Sequence, residues 1–168
     1  DDGYNAAVDR ADFFGDLRVR QALAYCLDRP SLIAALRSGQ GVPAAGMVPP
    51  QSLFYPTGLE ALPYDPAEGM RLLDEVGWKD ADNNSSTPRV AQNVTNVPNG
   101  TPFIISYYTS QAPLRLRVAE ILIASLANCG IQANLNSLSV EQLYAAAPEG
   151  VLFGRQFDLA QFSWGASS

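Results

Sequence analysis

The chain has 168 residues, 47% of them apolar and 17% charged, which suits one domain with its own core and is unlike a disordered chain. Its formal net charge is -6, from 11 basic and 17 acidic residues, and the basic ones are scattered, so the concentrated positive footprint of a nucleic-acid-binding protein is missing. No apolar run approaches the roughly 18 residues that span a bilayer, and the absence of histidine removes Ser-His-Asp and Cys-His catalysis.

The sequence opens at Asp1-Asp2-Gly3, without a methionine or a basic-then-apolar leader, and therefore reads as an excised or processed piece. Asp16 is placed to cap a first helix over residues 17–27, whose Val19, Leu23, Cys26 and Leu27 share one face. Asp28-Arg29-Pro30 breaks that helix and starts a second, over residues 31–38, which Gly39 should stop. Residues 40–63 lose periodicity and are punctuated by Pro43, Gly46, Pro49, Pro50, Pro56 and Gly58, a long extended segment of the kind that serves function or packs on a neighbouring part.

Asp65-Pro66-Ala67-Glu68 is a strong helix start, with an N-cap carboxylate, proline at the first position and glutamate three residues after the cap. Met70, Leu72, Leu73 and Val76 give that helix its apolar face, Gly77 ends it, and Trp78 follows as an anchor. Residues 79–101 are polar and predict a loop or loose hairpin. Residues 103–109 read as a strand, 110–128 as the longest helix with Leu114, Val118, Ile121, Leu122 and Leu126 toward the core, and 131–135 as a second strand. Strand, helix and strand in that order make a parallel, right-handed βαβ unit. Ser139-Val140-Glu141-Gln142 opens a short helix with a capping box, and residues 157–164 predict a last strand. The whole is an α/β domain.

Few residues carry chemistry. Most carboxylates fall at caps or on helix surfaces, so a catalytic pair is not the favoured reading. Asp80, Asp82 and Asn84 have the alternate spacing that begins a calcium loop, but Ser85 and Ala91 stand where its glycine and closing glutamate belong, and a solvated turn explains them better. Asn83, Asn84 and Asn93 match the short N-glycosylation pattern, which arises by chance in such loops. No glycine-rich phosphate loop is present. Cys26 and Cys129 both fall on apolar-periodic helices, where buried free thiols are the simpler reading and a disulfide the alternative. They are too few for a zinc site.

The aromatics near strand ends are more informative. Ligands of open α/β sheets occupy the crevice outside the carboxyl ends of the strands. Tyr107 and Tyr108 end one predicted strand, and Phe162 and Trp164 end another. Alternation puts Phe162 and Trp164 on one face and separates Tyr107 from Tyr108. Core packing accounts for Tyr107 and Phe162, whereas the small residues Gly165-Ala166-Ser167-Ser168 leave the Trp164 ring open to a cleft.

Several segments together resemble the family 5 extracellular solute-binding proteins of ABC importers, the oligopeptide- and dipeptide-binding type. The stretch from Phe14 to Arg29 is similar to the family's D-x-R-V-R-x-A-L-x-x-A-I-D-R helix, with Cys26 at the usual alanine and Leu27 at the usual isoleucine. Gly39-Gln40-Gly41-Val42-Pro43-Ala44, Met47-Val48-Pro49-Pro50, Tyr64-Asp65-Pro66-Ala67 and the run from Leu72 to Trp78 follow in the family's order. Cys129-Gly130-Ile131 and Phe157-Asp158-Leu159 with Trp164 complete the likeness, which covers nearly the whole chain.

The resemblance implies a two-lobed clamp that encloses a ligand, with residues 1–168 as a single α/β, periplasmic-binding-protein-like lobe, a mixed sheet flanked by helices, a fragment of the second lobe. It implies non-catalytic capture of a small solute, peptide or oligosaccharide, for ABC permease subunits, with the first lobe of the same protein completing the cleft and no cofactor required. The compartment implied is extracellular or periplasmic, with a lipid anchor on the full-length protein. The ligand-binding residues implied or read from strand ends are Trp164, Ser167, Phe162, Tyr107 and Tyr108. In peptide-binding members an aspartate three residues after the tryptophan pairs with the peptide's α-amino group; here Ser167 stands there and cannot neutralise an ammonium. The alternatives are a sensing or interaction domain that reuses the fold, and an acidic hydrolase with a carboxylate pair.

Overall fold

The computed structural model describes residues 11–37, 41–43, 45–46, 48, 53, 55–84 and 87–163. Helix α1 (Leu17–Cys26) begins as its cap dictates, with the Arg18 N–H donating to Asp16 Oδ1 at 2.8 Å. Helix α2 (Arg29–Arg37) carries Pro30 in its first turn, where no helical N–H is required. The Gly39 stop and parts of the segment 40–63 lie outside the described residues; the rest of that segment holds neither helix nor strand.

Helix α3 (Pro66–Val76) starts with the Glu68 N–H donating to Asp65 Oδ1 at 3.0 Å and ends at Gly77, whose φ of 111° suits only glycine. A Cβ there would also lie 2.3 Å from the Gln92 carbonyl oxygen. The α3 face of Leu72, Leu73 and Val76 packs on the α1 face of Val19, Ala22, Leu23 and Cys26. Strand β1 (Trp78–Lys79) pairs antiparallel with β2 (Val90–Ala91), so the polar stretch between them is a hairpin. Its turn is bound by its own side chains: the Asn84 N–H donates to Asp80 and Asp82 Oδ1, and the Thr87 hydroxyl to Asp82. Trp78 is fully buried, stacked on Phe103 at 4.2 Å between ring centroids, with Phe13 edge-on to both.

Strand β3 (Ile104–Ser110) is the centre of a three-stranded sheet. On one side it runs parallel to β4 (Gln132–Leu138), in register from Ile104 opposite Gln132 to Ser110 opposite Leu138. On the other it runs parallel to β5 (Leu159–Ala160), Tyr107 opposite Leu159 and Tyr108 opposite Ala160. Helix α4 (Pro113–Ala127) connects β3 to β4 and packs on both. Helix α5 (Val140–Leu143) forms the expected capping box between Ser139 and Gln142. The strands are thus mixed in sense across two sheets, within an α/β layering.

Four expectations need correction. Cys26 and Cys129 are not free thiols: they form a disulfide that joins α1 to the residues after α4, with Cα atoms 6.2 Å apart and a sequence separation of 103. The longest helix starts at Pro113 and not at Ser110, because Ser110 still pairs with Leu138 and residues before a proline avoid the α region. Leu114, expected in the core, is 60% exposed on the first turn of α4. The last strand is two residues long within the described range. The Asp158 carboxylate takes the Ser106 N–H at 2.8 Å, and so replaces a backbone partner just before β5.

The disulfide explains a glycine inside a helix. Gly69 is buried on α3, where a Cβ would lie 2.4 Å from Cys26 Sγ and 3.1 Å from the Ala22 carbonyl oxygen. Arg89 is a second internal tie. It is 5% exposed, and its guanidinium donates to Asp74 Oδ1 at 2.8 Å, the Trp78 carbonyl at 2.8 Å and the Cys129 carbonyl at 3.0 Å. One buried cation therefore joins α3, the hairpin and the disulfide-bearing turn, with its donors satisfied as burial requires.

Candidate functional site

The carboxyl ends of β3 and β5 point the same way because the strands are parallel, and the crevice beyond them is where such a sheet offers a site. Three contacts fix that edge. The Asp158 carboxylate accepts from the Ser106 N–H and hydroxyl, both at 2.8 Å, and the Asp158 N–H donates to Ser106 Oγ at 3.1 Å. The Gln161 N–H donates to the Tyr108 carbonyl at 2.8 Å, extending the pairing one residue past β5. The Thr109 hydroxyl, fully buried, donates to the Gln161 side-chain oxygen at 3.1 Å.

Tyr144, just after α5, holds the next step. Its hydroxyl donates to the Ser163 carbonyl at 3.0 Å and accepts from the Ser163 N–H at 3.3 Å. Both backbone groups of the residue before Trp164 are therefore held by one side chain. The capping box of α5 and the buried Leu143 fix the helix from which Tyr144 projects.

Among the described residues, two clefts open on this edge, with Gln161 and Phe162 common to both. The larger, of about 310 Å³, is apolar, with Leu27, Tyr107, Leu122, Leu126 and Leu159 in its walls. The smaller, of about 190 Å³, is lined by Ser110, Arg115, Tyr144 and Ser163 among others. An apolar recess beside a few polar groups is the usual make-up of a small-molecule site.

The site residues expected from the sequence divide accordingly. Tyr107 and Phe162 meet in the apolar cleft. Tyr107 is only 4% exposed, and burial pushes its phenol up to about 12, against a small opposing effect of the Arg115 charge, so it stays neutral at physiological pH. Tyr108 projects on the other face of β3 and lines neither cleft. Trp164 and Ser167 lie outside the described residues. Sequence reasoning missed Tyr144, Arg115 and Gln161. Only their nearness to predicted strand ends and helix starts could have flagged them, because the contacts that matter span up to 52 residues.

Elsewhere, the Arg18 and Arg20 pair acts structurally. Arg18 pairs with Asp16 at 2.6 Å, and Arg20 donates to the carbonyls of Phe14 and Gly15. The Arg18 guanidinium beside Asp16 holds that carboxyl down at about 2. A cleft of about 370 Å³ lies beside this ion pair, near Asp12, Val76 and Asn96, away from the strand ends. No group of metal-ligating side chains occurs among the described residues.

The layering and strand-end crevice are those of a periplasmic-binding-protein-like α/β fold, and comparisons with known proteins agree. The chain superposes on NikA from Brucella suis in complex with Fe(III)-EDTA with a TM-score of 0.72 and 27% identity, covering 90% of this chain and 28% of that one. It superposes on the oligopeptide-binding protein AppA from Bacillus subtilis, in complex with a nonapeptide, with a TM-score of 0.65 and 27% identity, covering 78% and 26%. Residues 3–168 match the family described as bacterial extracellular solute-binding proteins, family 5, middle region, and the chain belongs to that family. Glutathione-binding protein GsiB of Escherichia coli K12 is 34% identical over 139 residues, and Heme-binding protein A of Haemophilus influenzae 30% over 139. The chain spans 22% of the length of each of these relatives.

Proposed function

We propose that this chain is part of one lobe of a two-lobed binding protein that captures a peptide or similar small solute and delivers it to an ABC permease without chemical change. The observation that carries this reading is the pair of clefts at the carboxyl ends of β3 and β5, sharing Phe162, on a chain that belongs to a solute-binding family. Phe162 and Tyr107 contribute apolar wall, and Trp164 and Ser167 lie next along the chain from Ser163. Tyr108 acts through its backbone carbonyl, which receives the Gln161 N–H. Closure of the other lobe over this edge would exclude water and complete the contacts.

The relatives bind or are named for glutathione, heme, a nonapeptide and Fe(III)-EDTA, so solute class is open within the family. A site without the amino-pairing aspartate, with Ser167 in its place, suits solutes whose recognition does not rest on an ammonium. The work is done outside the cytoplasmic membrane, on a protein held there by a lipid anchor. The buried Cys26–Cys129 disulfide supports that compartment, because such bonds form and persist in oxidising surroundings.

Isothermal titration of the full-length protein with glutathione, heme and trialanine tests the reading. Saturable one-to-one binding of at least one of them, weakened tenfold or more by Trp164→Ala, is the expected result. Binding that Trp164→Ala leaves unchanged, or turnover of the solute, would contradict it.

A further inference from the structure

The larger cleft and the disulfide share one wall. Leu27, which lines that cleft, stands between two ties to the α4 side: Cys26 is bonded to Cys129, and the Asp28 N–H donates to Ser125 Oγ at 3.2 Å. Ser125 is buried, and its hydroxyl donates in turn to the Leu122 carbonyl at 2.9 Å. On α4 and the turn after it, Leu122, Ser125, Leu126 and Cys129 recur at helical spacing and so form one stripe. The residues that hold Leu27 therefore lie on the same stripe as Leu122 and Leu126, which line the cleft with it.

Other contacts already anchor the two ends of this bond. Helix α1 packs broadly on α3 and only narrowly on α4. The turn at Cys129 is tied to α3 by Arg89, which donates to both the Cys129 carbonyl and Asp74 Oδ1. What the disulfide adds is a direct link from α1 to α4, and with it the position of Leu27 against Leu122 and Leu126. Leu27 follows α1 with an extended backbone, φ -91° and ψ 110°, so helical bonding does not hold it there. On the other side the sulfurs are backed by α3, where a Cβ on Gly69 would lie 2.4 Å from Cys26 Sγ and 3.5 Å from Cys129 Sγ. Both cysteines are fully buried, and the bond is thus a spacer between α3 and the cleft wall.

We infer that the Cys26–Cys129 disulfide is a positioning element of the solute site: it sets the width of the apolar cleft by holding Leu27 to α4, and thereby the size of apolar group that the cleft takes most tightly. A wall fixed in advance adds affinity because the solute does not have to order it on binding. The inference rests on the reading that solute sits at these strand ends, and it names what controls specificity there.

Two measurements on the full-length protein test it separately from that reading. The first needs no solute. The side-chain methyl resonances of Leu27, Leu122 and Leu126 are compared between wild type and Cys26→Ala with Cys129→Ala. Val19 and Val76 serve as the reference, since they meet in the cleft beside the Asp16–Arg18 pair, at the far ends of α1 and α3 from the disulfide. The three leucines should shift and the two valines should not. Unmoved leucines, or equal shifts at the valines, overturn the inference whether or not a peptide binds. Gly69→Ala keeps the bond and presses on it from α3, so it should move the same leucines, and it decides the matter if the double variant does not fold. In the second measurement, trileucine and trialanine are titrated against wild type and the double variant. Trileucine should weaken about 4- to 15-fold, the worth of one or two methylene groups, while trialanine, too small to fill the recess, should change far less. Equal loss for both peptides, or loss for neither, overturns the inference. Failure of wild type to bind either peptide would count against peptides as the cargo, and the methyl comparison would still decide the positioning role.

Discussion

The Tyr144 hydroxyl holds both backbone groups of Ser163, donating to its carbonyl at 3.0 Å and accepting from its N–H at 3.3 Å. Nineteen residues separate the two in sequence, and the contact ties the short helix α5 to the segment that leads into Trp164. Removing the hydroxyl should loosen this segment and little else. Tyr144→Phe is expected to speed hydrogen exchange of the Ser163 amide by about 2- to 10-fold, the worth of one neutral hydrogen bond, while the β3 and β4 amides keep their protection. Unchanged exchange at Ser163 would show that the contact does not order the segment.

The disulfide and Gly69 make a joint prediction. Cross-linking across 103 residues restricts the unfolded chain, and in the chain-entropy treatment is worth about 4–5 kcal/mol. Cys26→Ala with Cys129→Ala should therefore lower the denaturation free energy by several kcal/mol in urea titration. Gly69→Ala would ordinarily help a helix by roughly 1 kcal/mol, yet here its Cβ meets Cys26 Sγ at 2.4 Å. It is expected to destabilise the disulfide-bonded protein and to cost less in the background of the double cysteine variant. The Ala22 carbonyl at 3.1 Å keeps the rescue partial.

Arg89 should matter out of proportion to its place in a polar loop. Arg89→Met removes three hydrogen bonds that join α3, β1 and the turn at Cys129. Loss of about 2–4 kcal/mol in urea denaturation is expected, since buried carbonyl acceptors lose a charged donor. A loss below about 0.5 kcal/mol, the size of an ordinary surface change, would contradict the role given to it.

Asp16 sets a pH dependence. Its carboxyl is held down at about 2, chiefly by the Arg18 side-chain hydrogen bond and also by the Arg18 N–H that it caps, against an ordinary value of 3.8. A carboxyl lowered on folding stabilises the fold above its unfolded value, and the contribution disappears as pH falls from about 4 through about 2. Asp16→Asn keeps a capping oxygen but does not titrate. The stability difference between the two proteins should therefore shrink between pH 5 and pH 2 in thermal melts, and a constant difference would argue against the ion pair.

How much of this was legible in the sequence follows the range of each interaction. Asp16, Asp65 and Ser139 cap helices through bonds two or three residues long, and each was readable from residue type and spacing. The βαβ unit was readable too, because β3 and β4 alternate or carry β-branched and aromatic residues around a periodic helix. Boundaries set from a distance were not. Ser110 stays in a strand because Leu138 pairs with it, and the last strand is brief because Asp158 turns its side chain to Ser106. The disulfide could not be told from two buried thiols, since helical periodicity places both cysteines inside and says nothing of their mutual distance. At the site, Tyr107 and Phe162 could be placed near strand ends from the sequence, and they line one apolar cleft, whereas Tyr144 and Arg115 come to that edge only through the fold.

Hydrogen–deuterium exchange of the full-length protein, with and without a saturating solute, tests the central claim most directly. Protection on binding should concentrate at the carboxyl ends of β3 and β5, residues 107–111 and 160–168, and at residues 113–116 and 144. Protection confined instead to the cleft beside the Asp16–Arg18 ion pair, or absent from the strand ends, would contradict the account.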